Sequence, residues 1–280
     1  MVKIVTDSDA NLPPDIVAAN DIHVVPIQVH IDGKNYNEGV DLDSQQFLEM
    51  LETAQTHPTT SQPSSGQFYA TYWPMVSTGH SVVSIHVSGA LSGTVGSAQA
   101  SLELLPGSDV HVIDSRSISM GQGLIVLQAV RLAQAGYRAS EIVQALVPMI
   151  EGMEVYFTLE TLEYLRRSGR VGGAAHLLGS LLHVRPILAV RQGAIVSVGR
   201  QRSRAKALDR LRDMALERGR ARAGVYLAVG HVGAPDEAQA LFDDLSAAVR
   251  PVESALCEIG PGISVHCGPG AVGFALYAPG

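Results

Sequence analysis

The chain has 280 residues, of which 46% are hydrophobic and 17% are charged. This length suffices for one large domain or two ordinary ones, and the composition is typical of a globular protein with a substantial core. The net charge of -7 argues against nucleic acid as the main partner, because phosphate binding requires a positive field. The sequence therefore predicts a globular protein that does not bind nucleic acid.

The two cysteines and the N-terminus indicate where the protein resides. Cys257 and Cys267 form no CxxC pair and cannot frame a small secreted scaffold, so we expect buried free thiols. The N-terminal MVKIVTDSD predicts a strand rather than a signal peptide, and no stretch approaches the roughly 20 apolar residues of a membrane span. We expect a cytoplasmic protein with at most transient membrane contact.

In chain order, the first part of the sequence alternates predicted strands with predicted helices. The predicted strands are Val2–Thr6, His23–His30, Ser81–Val87 and Asp109–Asp114. The predicted helices are Asp15–Asn20, Gln45–Gln55, one that begins at Thr94, Gly121–Ala135, and Ser140–Ile150 with Ser140 as its N-cap. The segment His57–Gly66 is rich in Pro, Thr and Ser and predicts a loop. This alternation predicts a parallel sheet with helices on both faces.

From Val155–Leu159 onward the pattern changes. Strands over Pro186–Val190 and Ala194–Val198, joined by Arg191-Gln192-Gly193, predict an antiparallel hairpin. The other predicted elements are a helical Glu163–Ser168, a basic helix Arg204–Arg218, a strand Tyr226–His231, a helix Pro235–Val249, and strands Val252–Glu258 and Gly273–Tyr277. We therefore expect an N-terminal α/β domain with a parallel sheet over residues 1–155. A C-terminal α/β domain with a mixed sheet should follow over residues 156–280.

Polar, glycine-containing segments follow several predicted strands, where ligands of open α/β sheets bind. Thr59–Ser64 can present hydroxyl and backbone N–H groups to an anion, or can serve as a turn and helix cap. Ser88–Thr94 (SGALSGT) precedes a helix, whose N-terminal amides and dipole favour a carboxylate or phosphate. The segment lacks the GKS or GKT ending of a phosphate-binding loop, which weakens a nucleotide interpretation.

Two later segments carry cationic side chains next to glycines. Tyr164–Gly173 contains Arg166, Arg167 and Arg170, which can clamp a carboxylate or form a solvated face. The apolar stretch Ala174–Leu188 can wall a cavity or belong to the core. His266 precedes a Gly-Pro-Gly turn, and can either pair with an anion or cap that turn.

Metal and hydrolase sites have little support in the sequence. Asp7, Asp9 and Asp15 near a strand end can hold a cation, but no HExxH or spaced Cys/His set occurs. The GxSxG elbow is absent, because the glycines around Ser92 stand one residue too far apart. With ten histidines, counting does not exclude a Ser-His-Asp triad. A stand-alone phosphotransferase or hydrolase that uses Ser92 therefore remains an alternative.

A run of basic residues supports a further alternative, a regulatory protein that acts through its surface. This run can dock an acidic partner or a membrane surface, or can be a solvated helix face. It comprises Arg200, Arg202, Arg204, Lys206, Arg210 and Arg212.

Taken together, the segments resemble the DegV family. They occur in family order and span residues 4–277, nearly the whole chain, which makes coincidence improbable. The matching segments are Val5–Ser8, Thr60–Ser64, Ser88–Ser97, Asp114-Ser115 with Gly121–Gly123, Leu162–Gly172 and His266–Gly270. Cys267 departs from the family pattern, in which we expect Val or Ile.

The resemblance implies a two-domain DegV-like (EDD) fold with a long-chain fatty acid in the interdomain cleft. It implies that the carboxylate is bound by Thr60, Ser61, Ser92 and Gly93, with Arg170, His266 and Arg202 near the head group. It also implies a lipid carrier without catalytic residues, metal or cofactor. Some family members are the non-catalytic subunit of a fatty acid kinase system and present the carboxylate to a separate ATP-dependent kinase, which forms the acyl phosphate. The resemblance implies the same role here.

The chemistry of the residues agrees with this implication. Hydroxyl groups can hold a carboxylate without a neutralising salt bridge, which leaves the head group accessible. Burial of roughly fourteen methylenes at ~0.8 kcal/mol each gives about 11 kcal/mol before association costs, so the tail provides most of the affinity.

Overall fold

The computed structural model describes residues 1–177, 184–220 and 222–279, in which strands and helices alternate along most of the chain. The strands before residue 150 are β1 (Val2–Asp7), β2 (Ile22–Val25), β3 (Gln28–Ile31), β4 (Lys34–Asn37), β5 (Thr59–Ser61), β6 (Ser81–His86) and β7 (Val110–Asp114). The later strands are β8 (Glu154–Thr158), β9 (Arg185–Arg191), β10 (Ala194–Gln201), β11 (Tyr226–His231), β12 (Glu253–Glu258) and β13 (Val272–Tyr277).

The α-helices lie between these strands in both parts of the chain. Those before residue 153 are α1 (Pro14–Ala19), α2 (Ser44–Thr53), α3 (Ser65–Val76), α4 (Thr94–Ser101), α5 (Ser119–Gln134) and α6 (Ala139–Gly152). The later ones are α7 (Glu163–Arg167), α8 (Arg204–Gly219), α9 (Pro235–Val249) and α10 (Pro261–Cys267). Short 3-10 turns cover Ser8–Ala10, Leu102–Leu104 and Gly172–Leu177. Within the described ranges, we find no helix with the length and apolar character that crossing a bilayer requires.

The first sheet is parallel, with the strand order β2-β1-β6-β7. Helices cover both of its faces, as the sequence predicts. Phe68 and Tyr72 of α3 pack on one face against Val5 of β1. Leu124 of α5 and Ile142 of α6 belong to the core on the other face. Because both faces are covered, the central strand β6 is buried continuously from Val82 to His86 rather than at alternate residues.

The second sheet is mixed, with the order β10-β9-β8-β13-β11-β12, and only β11 and β12 pair in parallel within it. Helices α8 and α9 cover one face, where Leu211 and Leu245 pack with Phe274. Helix α5 packs on the other face and thus lies between the two sheets. The parallel and mixed sheets confirm the predicted fold class. The domain boundary at residue 155 stays a prediction.

Two glycines allow α5 to pack closely against β8 and against the turn Ser8–Ala10. A Cβ on Gly121 would stand 2.6 Å from Val155 Cγ2 of β8, and one on Gly123 would stand 2.8 Å from the carbonyl oxygen of Ala10. Both distances are shorter than a real Cβ contact, so any larger residue would push the helix away from its neighbours. The Gly121-Gln122-Gly123 motif therefore serves helix packing.

A small antiparallel sheet, with the order β4-β3-β5, corrects two predictions. The predicted strand His23–His30 is broken at Pro26, which has no N–H to donate to a ladder, and its two halves join different sheets. The predicted loop His57–Gly66 is wrong in part, because β5 pairs with β3 and α3 begins at Ser65, after the N-cap Ser64. A strand as short as β5 forms only because it pairs with β3, and its three residues are too few to show a strand pattern in the sequence.

The start of α6 differs from the prediction, and part of one apolar segment lies outside the described residues. Ser140 is not the N-cap, because α6 begins at Ala139 and the Arg138 backbone N–H donates to the Glu141 carboxylate at 2.9 Å. Residues 178–183 of the apolar stretch 174–188 lie outside the described residues. Its role in walling a cavity therefore stays a prediction.

The predicted hairpin of β9 and β10 is confirmed, and its turn contacts the parallel half of the molecule. The Ser88 hydroxyl donates to the carbonyl oxygen of Gly193 at 2.8 Å. Gly193 has a φ of 81°, and a Cβ there would stand 2.4 Å from Ser88 Oγ. The turn therefore requires glycine for both its conformation and its contact.

We expect Gly193→Ala to lower the free energy of unfolding more than Gly33→Ala does. Gly33 occupies the same position of the β3–β4 hairpin, with a φ of 77°, but a Cβ there would meet no atom of the described residues within 4 Å. Gly33→Ala should cost about 1–2 kcal/mol through the left-handed conformation alone. Gly193→Ala should cost roughly 1–3 kcal/mol more through overlap with Ser88. Equal costs in urea denaturation would contradict the role of the Ser88 contact.

Candidate functional site

A cavity lies between the two sheets, with about 920 Å³ of empty space when its opening to solvent is included. Its walls are mostly apolar and come from distant parts of the chain. They include Val87, Met120, Phe157, Leu165, Ile195 and Ile263. Such walls suit a hydrocarbon chain, because each buried methylene is removed from water.

Five of the seven residues that the sequence singles out line this cavity, together with Gln62. They are Thr60, Ser61, Ser92, Arg170 and His266. The remaining two do not line it. Gly93 is the N-cap of α4, and the side chain of Gln62 occupies the space that a Cβ on Gly93 would need. Arg202 is exposed in the bend after β10.

Thr60 and His266 meet inside the cavity although 206 positions separate them. The small sheet places Thr60 on β5, and α10 places His266, so that Thr60 Oγ1 lies 3.0 Å from His266 Nε2. The other ring nitrogen, Nδ1, is buried and has no hydrogen-bond partner among the described residues. The pair therefore offers a hydroxyl and a free ring nitrogen to a ligand.

The imidazole of His266 is neutral at pH 7. Burial, together with the positive charge of Arg170 and the neighbouring His57, lowers its pKa to about 4. A neutral imidazole can donate one hydrogen bond without forming an ion pair. A negative ligand placed beside it would favour the protonated form and raise this pKa.

Ser92 and Arg170 form the other side of the polar region. The Ser92 hydroxyl lies 2.8 Å from Thr94 Oγ1 and accepts from the Thr94 backbone N–H, at the start of α4. The Arg170 guanidinium donates to the carbonyl oxygens of Leu91 and Ser168, at 3.3 and 2.6 Å. The arrangement brings hydroxyls and one guanidinium to one end of an apolar cavity, which suits an anionic head group.

Ser61 has partners within its own sheet. Its hydroxyl donates to Gln28 Oε1 at 3.3 Å and lies 2.9 Å from His30 Nε2. These contacts fix the direction of the hydroxyl before any ligand binds.

A Ser-His-Asp arrangement does occur, but it is sealed inside the parallel sheet. His86 Nδ1 lies 2.9 Å from Asp7 Oδ2, and His86 Nε2 lies 2.7 Å from Ser84 Oγ. All three side chains are fully buried, and Ser84 also contacts the Tyr72 hydroxyl at 2.7 Å. A substrate cannot reach this serine, so the group is a structural network.

The stand-alone enzyme alternative gains no support from Ser92. Its described partner is the Thr94 hydroxyl, which is not a base. Within the part of the chain that the structure describes, no group of three or more His, Cys, Asp or Glu side chains is placed to hold a metal ion. Asp7 is engaged by His86, Gln122 and the Val87 amide, whereas Asp15 is exposed on α1.

In the described part of the chain, three of the six residues of the basic run form ion pairs with neighbouring acids. Arg204 pairs with Glu237 and Glu160, Arg210 with Glu217, and Arg212 with Asp244. These ion pairs favour the interpretation as a solvated helix face.

The model of the DegV family matches residues 1–279 of the chain. The chain belongs to the DegV family. A DegV domain-containing protein of Deinococcus radiodurans is 39% identical over 281 residues, which cover 98% of this chain and 98% of that protein. Protein DegV of Bacillus subtilis is 34% identical over 273 residues, which cover 97% of each. The resemblance inferred from the motifs is thereby confirmed.

Solved DegV structures share the whole fold. A DegV family protein from Thermus thermophilus, described for its fatty acid binding, aligns with a TM-score of 0.93 and 32% identity over 99% of both chains. DegV of Bacillus subtilis, described as a fatty acid binding protein, aligns with a TM-score of 0.89 and 33% identity over 99% of both chains. A stearic acid-binding protein from Eubacterium ventriosum aligns with a TM-score of 0.91 and 26% identity, covering 99% of this chain and 98% of that one.

Sequence reasoning missed two polar residues of the cavity wall. The sequence suggests Asp9 only as a cation ligand, yet it lines the cavity, as does Ser119 at the start of α5. The local sequence around Asp9 is typical of a turn, and that around Ser119 is typical of a helix start. Neither pattern indicates that the residue lines a cavity.

We expect His266 to make the stability of the ligand-free protein depend on pH. Because the pKa of His266 is lowered from 6.5 to about 4, its neutral form contributes stability that is fully present above pH 6.5 and is lost as the pH falls towards 4. His266→Gln lacks this titration. The difference in free energy of unfolding between wild type and variant should therefore be larger at pH 7 than at pH 4.5, by up to about 3 kcal/mol. A difference that stays constant in urea denaturation at both pH values would contradict the assignment.

Proposed function

We propose that this chain binds one long-chain fatty acid in the cavity between its sheets. The observation that carries the proposal is the cavity itself, with apolar walls from both halves of the chain and one polar end around Thr60 and His266. Relatives with the same fold and 26–33% identity are described as fatty acid or stearic acid binding proteins, which supports the same ligand class here.

In this proposal the carboxylate lies among the hydroxyls of Thr60, Ser61 and Ser92 and the backbone at Gly93. Arg170 supplies a positive charge nearby, and the neutral His266 supplies a ring nitrogen. Because these groups neutralise the carboxylate only partly, its oxygens keep their reactivity. Arg202 has no part in this head-group arrangement, since it is exposed outside the cavity wall.

The tail supplies most of the affinity in this proposal. Each methylene that leaves water for the apolar walls contributes about 0.8 kcal/mol, which outweighs the hydrogen bonds of the head group. The bound acid needs neither a metal nor a covalent link to stay in place.

We further propose that the chain is the carrier subunit of a fatty acid kinase system. A separate ATP-dependent kinase would phosphorylate the carboxylate, since this chain has no phosphate-binding loop sequence of the GKS or GKT type. Arg170 is exposed at the polar end of the cavity, which gives a second protein access to the head group. We place this carrier in the cytoplasm, in agreement with the two free, buried thiols.

Lipid extraction tests the ligand directly. We expect a long-chain fatty acid in the organic extract of the denatured protein, identified by mass spectrometry, and saturable binding of stearic or oleic acid after delipidation. A protein that releases no lipid and binds no fatty acid in titration lacks the proposed function.

The double variant Thr60→Ala with Ser92→Ala tests the head-group assignment. Each lost hydrogen bond to a charged group should weaken fatty acid binding by roughly 1.5–3 kcal/mol, while tail burial should leave measurable affinity. Thr53→Ala with Ser77→Ala is the matched control, because both hydroxyls are exposed at helix ends and bond only to local carbonyls. Isothermal titration should separate the two variants, and equal affinities would refute the assignment.

Kinase presentation has its own test. Loaded protein, ATP and the ATP-dependent kinase subunit of the same organism should together yield acyl phosphate, and the loaded protein with ATP alone should not. Product formation without the kinase subunit would instead identify this chain as the enzyme.

A further inference from the structure

A carboxyl group without a hydrogen-bond partner lies in the wall of the cavity. Asp9 belongs to the turn Ser8–Ala10 after β1, is 6% exposed, and lines the cavity. No hydrogen bond joins its carboxyl group to any residue that the structure describes, and its Oδ1 atom is fully enclosed. Buried polar side chains nearly always have partners, so this carboxyl group requires one that the chain does not supply.

The surroundings favour the protonated form of this carboxyl group. Burial raises the pKa of Asp9 well above its ordinary value, and the nearby carboxyl groups of Glu38 and Asp7 raise it further. Burial also raises the pKa of Glu38 to about 7, although the Ser8 hydroxyl and the Gly262 amide donate to it. A protonated carboxyl group offers one O–H donor and remaining acceptor capacity.

The turn that carries Asp9 is held between two helices. A Cβ on Gly262 of α10 would stand 2.4 Å from Asp9 Oδ1, and a Cβ on Gly123 of α5 would stand 2.8 Å from the Ala10 carbonyl oxygen. Because both helices approach this closely, the turn has no room to move the carboxyl group into solvent. A partner from the cavity can therefore reach only the other oxygen, Oδ2, because Oδ1 is enclosed beside Gly262.

Ser119 supplies a second polar group beside the same turn. Its hydroxyl donates to Asn11 Oδ1 at 2.7 Å, and Asn11 follows the turn directly. Since this bond uses the only hydrogen of the hydroxyl, Ser119 Oγ can only accept a hydrogen bond from a ligand in the cavity that the residue lines. Asp9 and Ser119 thus combine a donor with an acceptor.

A hydroxyl group on the ligand matches this combination. It can accept from the Asp9 O–H and donate to Ser119 Oγ, whereas a ketone can only accept and a plain methylene does neither. The neighbouring walls at Ile118, Met120 and Ile259 remain apolar and suit the rest of a hydrocarbon chain.

We propose that this chain selects fatty acids that carry a hydroxyl group on the hydrocarbon chain, bound by Asp9 and Ser119. The proposal rests on the proposed function and specifies its ligand class. A ligand hydroxyl would satisfy a buried group that an unsubstituted fatty acid leaves unpaired, and sites of this kind discriminate strongly against the analogue that lacks the hydroxyl.

Competition binding to the delipidated full chain tests the proposal, with stearic acid and a series of monohydroxystearic acids that differ in hydroxyl position. At least one isomer should bind wild type about tenfold more tightly than stearic acid. Asp9→Leu should abolish that preference. Ser119→Ala should reduce the preference severalfold.

Two controls keep the result interpretable. Asp15→Leu changes an exposed carboxylate nearby on α1 and should retain the wild-type preference. Asp9→Asn keeps the size of the side chain, and thermal unfolding of both Asp9 variants shows whether they fold.

The outcomes separate the two proposals. If every hydroxy isomer binds wild type more weakly than stearic acid, Asp9 is satisfied by water and the selectivity proposal is wrong. A preference that survives in folded Asp9→Leu also overturns it. If stearic acid and all isomers fail to bind wild type, the failure belongs to the proposed function instead.

Discussion

The close packing of α5 between the two sheets determines most of the structure. The first turns of this helix, Ser119–Val126, are buried on every side, as expected of a helix enclosed within a core. Gly121 allows contact with β8, and Gly123 allows contact with the turn Ser8–Ala10. The same helix start contributes Ser119 and Met120 to the cavity. The position of the cavity wall therefore depends on Gly121 and Gly123, which have no side chain to keep α5 away from its neighbours.

Contacts between distant segments then assemble the polar end of the cavity. The Thr60–His266 pair joins the small sheet to α10, and the Ser88–Gly193 bond joins the loop before α4 to the β9–β10 turn. Ser92 and the Arg170 contact with Leu91 lie in or against that same loop. A polar region built in this way responds to any change in how the two sheets approach each other.

Two aspartates separated by one residue illustrate how the fold treats buried carboxyl groups. Asp7 accepts from the Val87 amide and Gln122 and contacts His86, so its burial is fully compensated. These bonds fix the ends of β1 and β6, from which the Ser88 loop departs. Asp9 has no such partners among the described residues, although it is almost as deeply buried. The contrast indicates that Asp7 stabilises the fold and that Asp9 faces the cavity.

The sequence by itself determined the alternation of strands and helices, the parallel and mixed sheets, and the β9–β10 hairpin, because each depends on local periodicity and turn chemistry. It failed at β5 and at Pro26, where pairing with β3 decides the structure. Local patterns left Thr60, Ser92, Arg170 and His266 with two interpretations each, and only the family resemblance favoured one of them.

Only the tertiary structure decided which polar residues share one space. Ser84, His86 and Asp7 form a triad-like group that burial makes inert, and Asp9 lines the cavity rather than a cation site. Burial and the supply of partners depend on packing between segments many residues apart. A single sequence, read through local patterns, does not contain that information.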